Sequence, residues 1–90
     1  MNKYKIIESN TVPTYQKLMD SGIEIESYSK HEAVCSFYDK LSNTVHGWLQ
    51  CYVLDTDTLK LFLVYWYRDS MGRITTTESF HSTLEKPKMK

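Results

Sequence analysis

Before Gly22 the apolar positions of this chain recur at helical spacing, and after it they alternate. In "TVPTYQKLMDSGIEI", Tyr15, Leu18 and Met19 fall at i, i+3 and i+4, one face of a helix. Pro13 suits the first turn, and Thr11 or Thr14 can cap it. Gly22 reads as a left-handed terminator, with Ile23 beyond it placed to touch Leu18. So short a helix needs a sheet to lie on. "KYKIIES", ahead of it, reads as a strand.

The alternating segments are "IEIES", "EAVCSFYDK", "HGWLQCYVL", "LKLFLVYWYR" and "RITTTESF". Between the later ones lie "LSNT", "DTDT" and "DSMG", rich in the residues turns need. Short loops make successive strands antiparallel neighbours, and residues directly opposite share a face. A loop of Ser42 to Thr44 sets Cys35 against Cys51, Phe37 against Leu49 and Ala33 against Val53. The other side of that hairpin pairs Tyr38 with Trp48 and Val34 with Tyr52. A loop of Thr56 to Thr58 then sets Val53 against Leu61 and Cys51 against Leu63. It also places Tyr52 against Phe62 and Trp48 against Trp66.

This register predicts two faces. One is aliphatic, running from Ala33 through Cys51 to Leu63, with the helix as its lid. The other is an aromatic stripe of Tyr38, Trp48, Tyr52, Phe62 and Trp66, fringed by Thr75 and Thr77. Each aromatic buries about 150–250 Å², so five together exceed what a monomer leaves open. Something must cover them. The cover is the chain itself, if the sheet curls into a small SH3- or Sm-like barrel or the N-terminal strand folds across. It is a protein, if the stripe or the free edge of "RITTTESF" meets a partner or a second copy. Or it is a single-stranded nucleic acid stacked on the rings.

Charge bears on that choice. Lys plus Arg equals Asp plus Glu at 11 each, so indiscriminate polyanion binding and acidic DNA mimicry are both disfavoured. Lys40, Lys60, Arg68 and Arg73 rim the stripe, but Asp39, Asp55, Asp57 and Asp69 crowd the same hairpin ends. At 41% hydrophobic and 24% charged, the composition is that of a globular chain. "MNKYKIIESN" lacks the apolar run of a signal peptide, which makes a cytoplasmic location the expectation, without a membrane partner and with Cys35 and Cys51 reduced.

Chemistry is sparse. The two cysteines lack a Cys-x-x-Cys knuckle that would bring them together with His31 or His46 on zinc. Cysteines facing inward across a strand pair lack the exposure and basic partner a nucleophile needs. "LDTDT" is hairpin-turn chemistry rather than a cation loop. Gly47 inside a strand marks a bulge or a close approach, and His81 follows the last strand without a fixed partner. No acid, base and nucleophile cluster together, and no cofactor or metal is expected.

The sequence therefore predicts a single α+β domain over residues 1–85, with residues 86–90 as a flexible tail. One short N-terminal helix packs on a four- to five-stranded antiparallel meander sheet. The expected function is non-enzymatic protein–protein contact, as a stand-alone inhibitor or adaptor of the phage or mobile-element type. A single-stranded nucleic-acid or nucleotide binder is the alternative. The expected binding residues are Tyr38, Trp48, Tyr52, Phe62, Trp66, Arg68 and Arg73.

Overall fold

The N-terminal strand sits inside the sheet, not at its margin. In the computed structural model, which describes residues 1–39 and 47–86, the chain runs β1 (Asn2–Ile7), α1 (Tyr15–Ser21), β2 (Ile23–Ser27), α2 (Lys30–Phe37), β3 (Gly47–Asp55), β4 (Lys60–Arg68) and β5 (Ile74–Thr83). The strands form one antiparallel sheet in the order β2-β1-β3-β4-β5. The α+β reading with an antiparallel sheet holds, and β3, β4 and β5 are its meander. The sheet stays open, with β2 and β5 as edges, so it is not a barrel. β2 and β3 both run antiparallel to β1 and therefore parallel to each other, an arrangement that needs a crossover. The α2 helix lies within that crossover.

α2 is the main departure from the sequence expectation. "EAVCSFYDK", read as a strand, is helical through Phe37. Its alternation of Ala33, Cys35 and Phe37 coexists with a helical pattern of Ala33, Val34, Phe37 and Tyr38. The start signal decides between them. "SKHE" places Ser29 three residues before Glu32, and the Ser29 hydroxyl accepts from the Glu32 backbone N–H at 3.1 Å. The ladder expected between residues 33–38 and β3 is therefore absent, and its loop, Ser42 to Thr44, lies outside the described residues.

α1 forms as expected, with Thr14 as its cap, accepting from the Lys17 N–H at 3.1 Å. Gly22 ends it differently: its backbone is extended (φ −71°, ψ 147°), not left-handed. The Gly22 N–H donates to the Leu18 carbonyl at 2.8 Å, and a Cβ would collide with that same oxygen. Glycine is required there for close approach rather than for its dihedral freedom.

The β3–β4 register also differs, by one residue. Leu54 pairs with Leu61, Cys51 with Val64 and Trp48 with Tyr67. Leu59 is the cause. It adopts φ +61° and joins the turn, so the loop runs from Thr56 to Leu59 instead of stopping at Thr58. The Asp55 carboxylate accepts from the N–H groups of Asp57 and Thr58, and the Leu59 N–H donates to the Asp55 carbonyl at 2.8 Å. A slip of one residue exchanges every β4 side chain between faces.

Each face of the sheet has a helix. On one, Ala33, Val34 and Tyr38 of the α2 region pack with Tyr4, Ile6, Cys51, Val53, Val64 and Trp66. On the other, Leu18 of α1 packs with Tyr52, Leu54 and Leu61, joined by Ile7, Tyr15, Met19, Leu63 and Leu84. The continuously apolar β4 is thus covered by the α2 layer on one side and, at its Leu61–Leu63 end, by α1 on the other.

Candidate interaction surface

The α1 layer covers only part of its face. Leu18 sits over the end of the hairpin near the Asp55–Lys60 turn. Gln50 marks the border, its side-chain amide donating to the Ser9 carbonyl at 3.4 Å. Beyond it, Trp48, Tyr65 and Tyr67 stand together. Trp48 is 65% exposed, although it is paired directly with Tyr67, one step in from the Gly47–Arg68 end of the ladder. Its ring centroid is 4.9 Å from that of Tyr67, tilted by 32°, and 6.1 Å from Tyr65, edge-on. Thr75 and Thr77 of β5 continue the same face, opposite Tyr67 and Tyr65. Trp48, Tyr65 and Thr77 line a shallow concavity of about 370 Å³.

The alternation of β3 and β4 builds this cluster, since Trp48 and Tyr52 share a face, as do Tyr65 and Tyr67. Gly47, at φ +107°, opens β3 just before Trp48. The three rings are fixed by strand pairing rather than by a mobile loop. They present a pre-formed aromatic surface with hydroxyls at its rim, the amphipathic chemistry that protein interfaces favour.

The structure divides the expected binding residues between two faces. Trp48 and Tyr52 are on the α1 side, where Tyr52 is buried under the helix while Trp48 is open. Tyr38, Phe62 and Trp66 are on the α2 side. Trp66 is 1% exposed, its ring 5.4 Å from Tyr38. Phe62, half-buried, lies beneath the Lys30 ammonium at 4.3 Å and beside Phe80 at 5.7 Å. The Arg68 guanidinium stacks over Trp66 at 4.9 Å, and so points away from Trp48. Arg73 is in the β4–β5 turn, where its backbone N–H donates to the Asp69 carboxylate at 2.8 Å. Lys40 and His46 lie outside the described residues. Tyr65 and Tyr67 were missed because the three-residue loop turned them to the other face.

The cysteines are also separated. Cys51 is fully buried beneath Tyr38, whose hydroxyl has the Glu8 carboxylate at 2.9 Å and the Gln50 carbonyl at 3.2 Å as acceptors. Burial pushes the Cys51 thiol from 9.0 to about 12, opposed by its hydrogen bond with Tyr38 and assisted by Glu8. Burial also raises the Tyr38 phenol, with Cys51 and Glu8 adding to the effect. Cys35 does not face inward, as a strand would have placed it. It is half-exposed on α2, its Sγ 3.7 Å from His31 Nε2, while His31 Nδ1 lies 2.6 Å from the Thr76 hydroxyl. The thiol therefore has an imidazole beside it, a pair that His31-x-x-x-Cys35 spacing announces once the segment is helical. Burial and the Glu32 carboxylate raise the Cys35 pKa, which keeps the thiol protonated and a weak nucleophile.

Among the described residues, no three His, Cys, Asp or Glu side chains gather as a metal site, and no helix is long and apolar enough to cross a membrane. Compared with known proteins, the chain matches no family model, no curated protein and no solved structure.

Proposed function

We propose that this protein is a small, non-enzymatic binding protein that acts by protein–protein contact through the open aromatic end of its sheet. The observation that carries the reading is Trp48, an indole in ring contact with Tyr65 and Tyr67 yet 65% exposed. An exposed Trp backed by half-buried Tyr side chains on a pre-ordered surface loses little conformational entropy when a partner covers it. That support distinguishes it from the scattered apolar residues every surface carries. The surface suits a stand-alone inhibitor or adaptor in the cytoplasm, of the kind phages and mobile elements direct at host proteins. The protonated state of the chain's half-exposed thiol supports a binding role over catalysis.

Single-strand stacking on the same rings is the second reading, favoured by the exposed indole. It is weakened by Arg68, which is engaged on the opposite face. The test compares tagged wild type and Trp48→Ala. The proposal expects the wild type to retain one host protein stoichiometrically and the variant to lose it. A fluorescent oligonucleotide bound by the wild type and released by Trp48→Ala would instead establish the stacking reading.

A further inference from the structure

The two sheet edges are unlike. β2 is five residues long and exposes Glu24 and Glu26, the short, charged form that discourages pairing. β5 is ten residues long, is the last strand in the order, and is exposed over most of its length. From Ile74 to Phe80 it carries one charge, Glu78, and no Lys, Pro or Gly. The irregularity in its pairing with β4 falls at Leu61/Phe62, beside Phe80, so the stretch before Phe80 pairs regularly. Two large apolar side chains, Ile74 at 36% and Phe80 at 58% exposure, stand on this strand.

We propose that β5 pairs antiparallel with β5 of a second copy, in the register centred on Thr77, to make a ten-stranded sheet across a two-fold axis. A two-fold perpendicular to the sheet keeps each face on one side, so opposed residues must share a face. Few centres qualify. Centring on Glu78 sets two carboxylates directly opposite one another. Centring on Thr76 places Ile74 against Glu78, and centring on Ser79 places Phe80 against Glu78. Centring on Thr77 pairs Ile74 with Phe80 of the second copy, twice by symmetry. It also pairs Thr75 with Ser79 and Thr76 with Glu78, whose carboxylate is steadied by Lys30 at 3.5 Å. Only this centre makes apolar partners of both exposed side chains and leaves the acidic residues apart.

The seam also joins the aromatic surfaces. Thr77 lines the Trp48–Tyr65 concavity, so the central Thr77 pair makes the two concavities one continuous face. At about 4.8 Å per strand, the two Tyr65 positions stand roughly 14 Å apart across the sheet. A partner of that face would then meet two equivalent clusters.

The test uses purified protein alone, so its outcome is independent of any partner. Light scattering over a concentration series is expected to show a dimer. In a Cys35→Ser background, Thr77→Cys is expected to give a disulfide-linked dimer under mild oxidation, because directly opposed Cα atoms lie about 4.5–5.5 Å apart. Thr75→Cys is the control: its own copy is four residues off register, roughly 14 Å away. Ile74→Glu and Phe80→Lys are each expected to give monomers with unchanged far-UV circular dichroism. The double variant sets the new carboxylate opposite the new ammonium and should restore the dimer. A wild type that stays monomeric, or a dimer cross-linked by Thr75→Cys and not by Thr77→Cys, overturns the proposal.

Discussion

Trp48 stands directly opposite Tyr67 in the β3–β4 ladder with its ring 4.9 Å away, and yet faces solvent. That combination separates a binding role from a packing role. Trp48→Ala should cost about 1 kcal/mol or less of stability, the range of a cross-strand pair. Leu18→Ala, at the buried end of the same face, should cost about 2–5 kcal/mol. Chemical denaturation of the two variants reads the difference. Equal losses would mean that Trp48 belongs to the core.

The two tryptophans report on opposite environments. Trp66 is buried among Tyr38 and the α2 residues, whereas Trp48 is open. Trp48→Phe should therefore leave a blue-shifted emission that acrylamide barely quenches. Trp66→Phe should leave a red-shifted, readily quenched one. Matching quenching of the two variants would refute the open end of the α1 face.

Thiol chemistry should follow burial. Native protein treated with iodoacetamide at neutral pH should leave Cys51 unmodified and label Cys35 slowly, because both thiols are held protonated. The sign of the pH effect follows from the raised values. Above the ordinary thiol pKa of 9.0 the unfolded chain releases the Cys51 proton, while the folded chain keeps it until about 12. The folded state then binds more protons, and stability falls as pH rises through that window. Cys51→Ala should flatten the alkaline slope measured by urea denaturation at a series of pH values. An unchanged slope would mean that the thiol is not isolated by the fold.

Two backbone positions should respond in opposite directions. Gly22→Ala pushes a methyl group into the Leu18 carbonyl and should destabilise by about 1–3 kcal/mol. Leu59→Gly removes a side chain from a left-handed residue and should be neutral or stabilising, apart from the lost contact of a half-exposed Leu. Thermal denaturation compares them directly.

The helix at Thr14, the strands at 23–27, 47–55, 60–68 and 74–83, and the antiparallel sheet were legible because period and turn residues agree there. Two local choices defeated the rest. In residues 30–37 an alternating pattern overlies a helical one, and the Ser29–Glu32 cap resolves them. At Leu59, a bulky residue takes a conformation that Leu seldom adopts, and nothing in "DTDTL" marks it. That one residue moved Tyr65 and Tyr67 next to Trp48 and sent Phe62 and Trp66 to the α2 side. Of the aromatic stripe read from sequence, Trp48 alone is both on the open face and exposed. The question of what covers the second face had its answer in a segment read as part of the sheet.

The most direct test of the account is photo-crosslinking from the exposed cluster itself. A benzophenone side chain introduced at Trp48, with a second protein carrying it at Lys17 on exposed α1 as control, is irradiated in host lysate. The account predicts one discrete protein adduct from position 48 and none from position 17. Adducts of equal yield from both positions, or oligonucleotide adducts from position 48 in place of protein, would contradict it.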